Sequence, residues 1–157
     1  MAIQINHIKD HPESIANLAS AQFDLWGPLT SRDSLEEYEK LLHTSAFSDA
    51  LPTTLIAVEN SAVLGSVNVL ESDLPLRRDL TPWLAQLFVF PNFRRRGVGA
   101  SLVEAAIIET KQLGWHTIYL YTSGTLPNFY EQLGWSRLEE IVYQNKMRVV
   151  MAYETTP

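Results

Sequence analysis

Residues 3 to 7 alternate apolar and polar side chains, the two-residue period that sends neighbours to opposite faces of a strand. Asp10 and Glu13 have the spacing of a helix-opening capping box, and Ile15, Leu18, Ala19 and Gln22 follow at helical intervals. Gly27-Pro28 interrupts that pattern. A second box, Thr30 and Asp33, then leads into Leu35, Tyr38, Leu41 and Leu42. Two strand-like runs, residues 53–59 and 62–71, flank a polar turn at Asn60-Ser61 and predict an antiparallel hairpin. Residues 72–82, with two prolines and four charges, predict a loop. Residues 83–90 are almost wholly apolar, the pattern of a strand covered on both faces, and Pro91 ends it because proline has no N–H for the ladder.

The next helix spans about residues 97–113, with Leu102, Val103, Ala106, Ile107, Thr110 and Leu113 on one face and Gly114 placed as its C-cap. Residues 117–121 predict a short strand rich in β-branched and aromatic side chains. A short helix over 126–133 closes at Gly134, and residues 136–143 and 146–153 predict a last hairpin around Gln144-Asn145. The resulting order is strand, two helices, three strands, helix, strand, helix, two strands. It predicts a mixed α/β domain, residues 1–157, with helices on both faces of one sheet.

Composition narrows the function. At 157 residues and 46% hydrophobic, the chain can bury a sizeable single core. The absence of cysteine excludes a disulfide scaffold, a thiol nucleophile and a thiolate zinc site. His7, His11, His43 and His116 lack metal-ligand spacing, so no metal is expected. No apolar run approaches the roughly 18 residues of a membrane span, and the N-terminus lacks a signal-peptide pattern. A cytoplasmic protein without membrane contact is the expectation. A net charge of −6 argues against nucleic acid as a partner and makes a cationic small molecule the more natural guest.

The chemistry concentrates in residues 87–100, LFVFPNFRRRGVGA. A buried strand ends, a basic loop turns, and a helix opens at two glycines. The first backbone N–H groups of a helix have no partner inside it, and its dipole is positive there. Gly97 and Gly99 let an anion approach those groups, and Arg94, Arg95 and Arg96 add charge-assisted donors. The set suits a pyrophosphate. The same residues also fit a solvated basic turn beside tightly packed glycines. A GxxxxGK[ST] loop and a GxGxxG dinucleotide turn are both absent.

Downstream stand Leu120-Tyr121-Thr122 and Phe129-Tyr130-Glu131-Gln132-Leu133-Gly134-Trp135. With the LFV strand and its proline, the Arg94-x-x-Gly97-x-Gly99 loop, the FYxxLGW segment and Thr81-Pro82-Trp83-Leu84-Ala85, residues from about 79 to 153 resemble the GNAT acetyltransferase superfamily. The resemblance implies an acyl-CoA N-acyltransferase fold, with a mostly antiparallel sheet that splays after its fourth strand. It implies acetyl-CoA as cosubstrate, bound through Leu87, Phe88 and Val89 along the pantetheine arm. The loop Arg94, Arg95, Arg96, Gly97, Val98, Gly99 and Ala100 would hold the pyrophosphate, Asn128 would contact the pantetheine arm or the adenosine side, and Tyr130 would also contact the cofactor. Many relatives have glycine where this chain has Arg95.

The resemblance further implies transfer of the acetyl group to a primary amine by direct attack, the acceptor being a small molecule or a peptide. Tyr130 would protonate the departing thiolate, as a phenol with an ordinary pKa of about 10 can do for a thiol near 8.5. Some relatives carry a glutamate base on the fourth strand. Gln86 stands at the comparable place and cannot accept a proton, while Glu71, Asp73 and Asp79 flank the same strand end; no base is assigned. Trp26, Phe23 and Trp83 are candidate walls of an acceptor pocket or simply core. Acceptor contacts would come from the first two helices, the loop before the fourth strand and the last hairpin, and a homodimer is common in the family. Two rivals stand beside the enzyme: a coenzyme A sensor without turnover, and an interaction protein whose basic loop binds phosphates generally.

Overall fold

The computed structural model describes residues 2–27 and 34–155. Pro28 and the capping box expected at Thr30 and Asp33 lie outside them. The strands are β1 (Gln4–His7), β2 (Thr53–Glu59), β3 (Ala62–Leu70), β4 (Trp83–Val89), β5 (Thr117–Thr122), β6 (Ser136–Tyr143) and β7 (Lys146–Glu154). The helices are α1 (Ile15–Trp26), α2 (Leu35–Ala46), α3 (Val98–Gln112) and α4 (Leu126–Gln132). The strands form one sheet in the order β1-β2-β3-β4-β5-β7-β6, antiparallel at every junction except β4–β5.

Two tight turns bear out the hairpins. Asn60 and Ser61 have φ of 52° and 67°, and Gln144 and Asn145 have φ of 54° and 59°. A two-residue loop with both residues left-handed matches the twist of the strands it joins. Along β2, Leu55 and Ala57 pack toward α3, while Ile56 and Val58 pack toward α1 and α2. The strand is therefore covered on both faces, and a fully buried side chain of the size of Ile56 contributes about 1.5–3 kcal/mol.

The start of α1 differs from expectation. Residues Ile8–Asp10 and Pro12–Ser14 form 3-10 turns, and the α-helix begins only at Ile15. His11 precedes a proline, which disfavours the helical region, and it lies at φ −138°, ψ 55°. Asp10 therefore cannot open a continuous helix. Ser14 does not cap it either, since its hydroxyl donates to His11 O at 2.7 Å. At α2 the N-cap is Ser34, whose Oγ accepts from the Glu37 N–H at 3.3 Å.

Candidate active site

The feature that makes a site is the parting of β4 from β5. Their pairing is confined to Trp83 and Tyr119, with Tyr119 N–H donating to Pro82 O at 3.0 Å. Beyond that point β4 keeps β3 on one side and loses β5 on the other. Phe90 N–H donates to Leu64 O on β3 at 2.9 Å. Backbone groups alternate along a strand, so those of Phe88 also face β3, and those of Leu87 and Val89 face the open edge. This places Leu87 and Val89, rather than Phe88, along the groove. The Phe88 ring instead packs edge-on against Trp26 and Phe90, with centroids 5.9 and 4.9 Å apart.

A bulge re-aims β4 in the middle of this edge. Ser66 pairs with Phe88 and Asn68 with Ala85, so Gln86 and Leu87 share the place opposite Val67. Gln86 is left-handed at φ 52°. Its side chain is fixed by a buried relay, in which Thr54 Oγ1 donates to Asn68 Oδ1 at 2.7 Å and Asn68 Nδ2 donates to Gln86 Oε1 at 2.5 Å. Gln86 lines the cavity with its carboxamide oxygen already engaged by Asn68.

That cavity, of about 360 Å³, occupies the splay. Strands β4 and β5 supply Leu84 to Leu87 and Leu120 to Thr122, α1 and α2 supply Trp26 and Tyr38, and α4 supplies Tyr130. Tyr130 is only 6% exposed, with its ring edge-on to Phe129 (5.0 Å) and Trp135 (5.9 Å). Burial disfavours the phenolate and pushes the Tyr130 pKa up to about 12. The hydroxyl therefore keeps its proton throughout the physiological range.

The basic loop joins the end of β4 to α3. Gly97 is the N-cap of α3 at φ 79°, and Arg95 is left-handed at φ 64°, a conformation that glycine adopts without strain. The orphan N–H groups of Val98, Gly99 and Ala100 open this helix. The three arginines diverge. Arg94 Nε donates to Val89 O at 2.9 Å and ties the loop to the open edge, Arg96 is ion-paired with Glu59 at 2.8 Å, and Arg95 is exposed. A β-carbon at Gly99 would meet Leu87, Val89 and Phe129 at 3.9 Å, so this glycine lines the cleft between β4 and α4. Asn128 is exposed on α4, with its Oδ1 accepting from Arg137 at 3.3 Å. The open strand edge and the N-terminus of α3 meet where Gly99 faces Leu87 and Val89, an arrangement that fits an extended anionic ligand.

The other candidates sort plainly. Trp26 walls the cavity, whereas Trp83 is wholly buried with its Nε1 donating to Leu80 O at 2.6 Å, and Phe23 packs edge-on against Tyr38. Asp79 is locked in a two-bond fork by Arg77 (3.0 and 2.9 Å), which holds its carboxyl below the usual range; Arg77 also binds Glu139. Glu71 is exposed and does not line the cavity, but Asp73 does. Among the described residues no cluster of three or more His, Cys, Asp or Glu could hold a metal ion. No described helix is long and apolar enough to cross a membrane. Sequence reasoning missed Tyr38, Lys146 and Arg148 on the cavity wall. The last two sit two apart on one strand, a spacing that puts both on one face.

The model of the acetyltransferase (GNAT) family matches residues 13–135, most of the chain. The chain belongs to the GNAT acetyltransferase family. A search of curated protein sequences returns no match. Solved structures share the fold of this acetyltransferase end to end. An aminoglycoside 6'-N-acetyltransferase complexed with coenzyme A is 20% identical with a TM-score of 0.76, covering 100% of this chain and 98% of that one. The aminoglycoside 6'-N-acetyltransferase from Enterococcus faecium is 20% identical with a TM-score of 0.74, covering 100% and 98%. A protein of Salmonella typhimurium solved with its cofactor acetyl-CoA is 14% identical with a TM-score of 0.74, covering 100% and 96%. The sheet that splays after its fourth strand, and the family itself, are as the sequence led one to expect.

Proposed function

We propose that this GNAT acetyltransferase moves the acetyl group of acetyl-CoA to a primary amine by direct attack, with Tyr130 as the acid. The observation that carries the reading is the placement of Tyr130 and the open edge of β4 in one cavity. The pantetheine arm would lie along Leu87 and Val89 as an added strand, with the pyrophosphate over the N–H groups of Val98, Gly99 and Ala100. Arg94 and Arg95 flank that position, and Arg96, held by Glu59, shapes the loop from behind. A backbone N–H on the open edge is suited to polarise the thioester carbonyl as charge develops on its oxygen.

The amine nitrogen attacks the acetyl carbon, the C–N bond forms and the C–S bond breaks. Sulfur gains the Tyr130 proton, and the proton lost by nitrogen returns to the phenol through water. Asp73 is the one carboxylate of the three flanking β4 that lines the cavity, and it is the candidate to take part in that return. The decisive experiment pairs calorimetry of acetyl-CoA with thiol release over a panel of amines. Tight binding together with turnover supports the enzyme. Binding without turnover on any amine favours the sensor, and no binding defeats both.

A further inference from the structure

The wall of the cavity contributed by β7 is cationic, carrying Lys146 and Arg148. Arg148 is half-buried and held in place. Its guanidinium carbon lies 5.8 Å from the ring centroids of both Tyr121 and Tyr143. Its Nε donates to Tyr143 O at 3.3 Å and its Nη2 to Gln144 Oε1 at 3.2 Å. A guanidinium has five N–H donors in a rigid fork, so these two bonds orient it and leave the Nη1 edge for a ligand.

Neither cation is neutralised by a carboxylate of the described residues. Arg77, Arg96 and Arg137 each have a carboxylate at 3.2 Å or closer. Among the described residues, no carboxylate lies within 4.0 Å of Lys146 or Arg148. Lys146 is exposed and Arg148 half-buried, so both cationic groups are open to a ligand carboxylate. The local field of this wall therefore runs opposite to the net charge of −6 carried by the whole chain.

We propose that the acceptor is a small amine bearing its own carboxylate, which docks in the fork of Arg148 beside Lys146. The inference rests on the acetyl-transfer reading and names the acceptor class for it. Arg–carboxylate pairs are strong because two parallel bonds form at once, and the contacts with Tyr121, Tyr143 and Gln144 order the arginine before a ligand arrives. The amine end then faces Tyr130, Gln86 and Asp73, which line the same cavity. Two cations on this wall repel a polycationic acceptor. The carboxylate takes no part in the chemistry: nitrogen exchanges one proton for the acetyl group, and the acid group leaves unchanged.

The test is a set of matched pairs, free amino acids and dipeptides against their own carboxamides, with spermidine and an aminoglycoside alongside. Thiol release gives kcat/KM for each. The acids should exceed their carboxamides by about 10- to 100-fold, the scale of one charge-assisted fork. In Arg148→Gln the ratio should fall toward one, chiefly through KM, and Arg148→Lys should keep part of it; thermal midpoints verify that both variants fold. Carboxamides, spermidine or the aminoglycoside used as well as the acids would overturn the proposal while leaving acetyl transfer standing. So would a ratio that survives in Arg148→Gln. Failure to bind acetyl-CoA by calorimetry would instead remove the acetyl-transfer reading itself.

Discussion

Replacing Tyr130 by phenylalanine removes one oxygen and little else. The ring would keep its edge-on contacts with Phe129 and Trp135 at 5.0 and 5.9 Å, so the fold and the groove should survive. Burial places the phenol near pKa 12, well above the 8.5 of an ordinary thiol. Complete transfer to a free thiolate would thus run uphill by about 3.5 pKa units, or roughly 5 kcal/mol. The same desolvation raises the proton affinity of the thiolate in the cavity and narrows that gap. Tyr130 therefore works chiefly by donating a hydrogen bond as charge gathers on sulfur, the proton crossing late. The loss should sit in the lower part of the 10²- to 10⁴-fold range of acid catalysis, about 10²- to 10³-fold or 3–4 kcal/mol. The ground-state thioester carries no such charge, so the loss should appear in kcat and leave acetyl-CoA affinity nearly unchanged. Single-turnover thiol release at saturating acceptor isolates the chemical step. The sign of the pH effect is also set: a raised pKa keeps the acid protonated, so activity should rise with pH as the amine deprotonates and show no falling limb below about pH 11. A Tyr130→Phe enzyme within threefold of wild type in single turnover would refute the reasoning and return Tyr130 to a packing role.

Other substitutions follow from the same geometry. Gly99→Ala should be tolerated, because a β-carbon meets only side chains at 3.9 Å, whereas Gly99→Val should fill the β4–α4 cleft and weaken acetyl-CoA by at least tenfold in calorimetry. Gly65→Ala would bring a β-carbon to 2.3 Å from Phe88 O, a backbone atom that cannot step aside, and should cost about 1–3 kcal/mol in urea unfolding. His7 is held neutral: Lys9 N–H donates to its Nδ1 at 3.0 Å, so Nε2 carries the proton toward Thr53 Oγ1 at 2.7 Å. Burial, then Lys9, lowers its pKa below 6.5, so the unfolded chain binds the proton more readily. Stability should be full above pH 6.5 and fall below it, and the slope should flatten in His7→Gln; equal slopes in the two proteins would count against this.

Much of the architecture was legible because its signals are local. Both hairpin turns, the proline that ends β4 and the glycines around α3 act within a few residues of themselves. Arg95 was legible in part: the glycine of many relatives at that place finds its reason in the φ of 64° that Arg95 adopts. What escaped depends on non-local pairing. The bulge at Gln86 exists only against Val67 of β3, and no residue type announces it. Arg148 gains its meaning from Tyr121, 27 positions earlier on a neighbouring strand, and from a cavity that no single segment encloses. The start of α1 was misread where Pro12 overrode a plausible capping box.

The single bridge between Trp83 and Tyr119 also has a mechanical consequence. It divides the sheet into two leaves, β1 to β4 and β5 to β7, joined at one end like covers on a spine. An occupant lying along Leu87 and Val89 would act as an extra strand lacing the leaves together. The amides of β5 and α4 should then exchange with solvent through an opening that leaves the first leaf intact. Saturating coenzyme should slow that exchange most on the second leaf, so that the donor substrate holds the halves of its own enzyme together between turnovers.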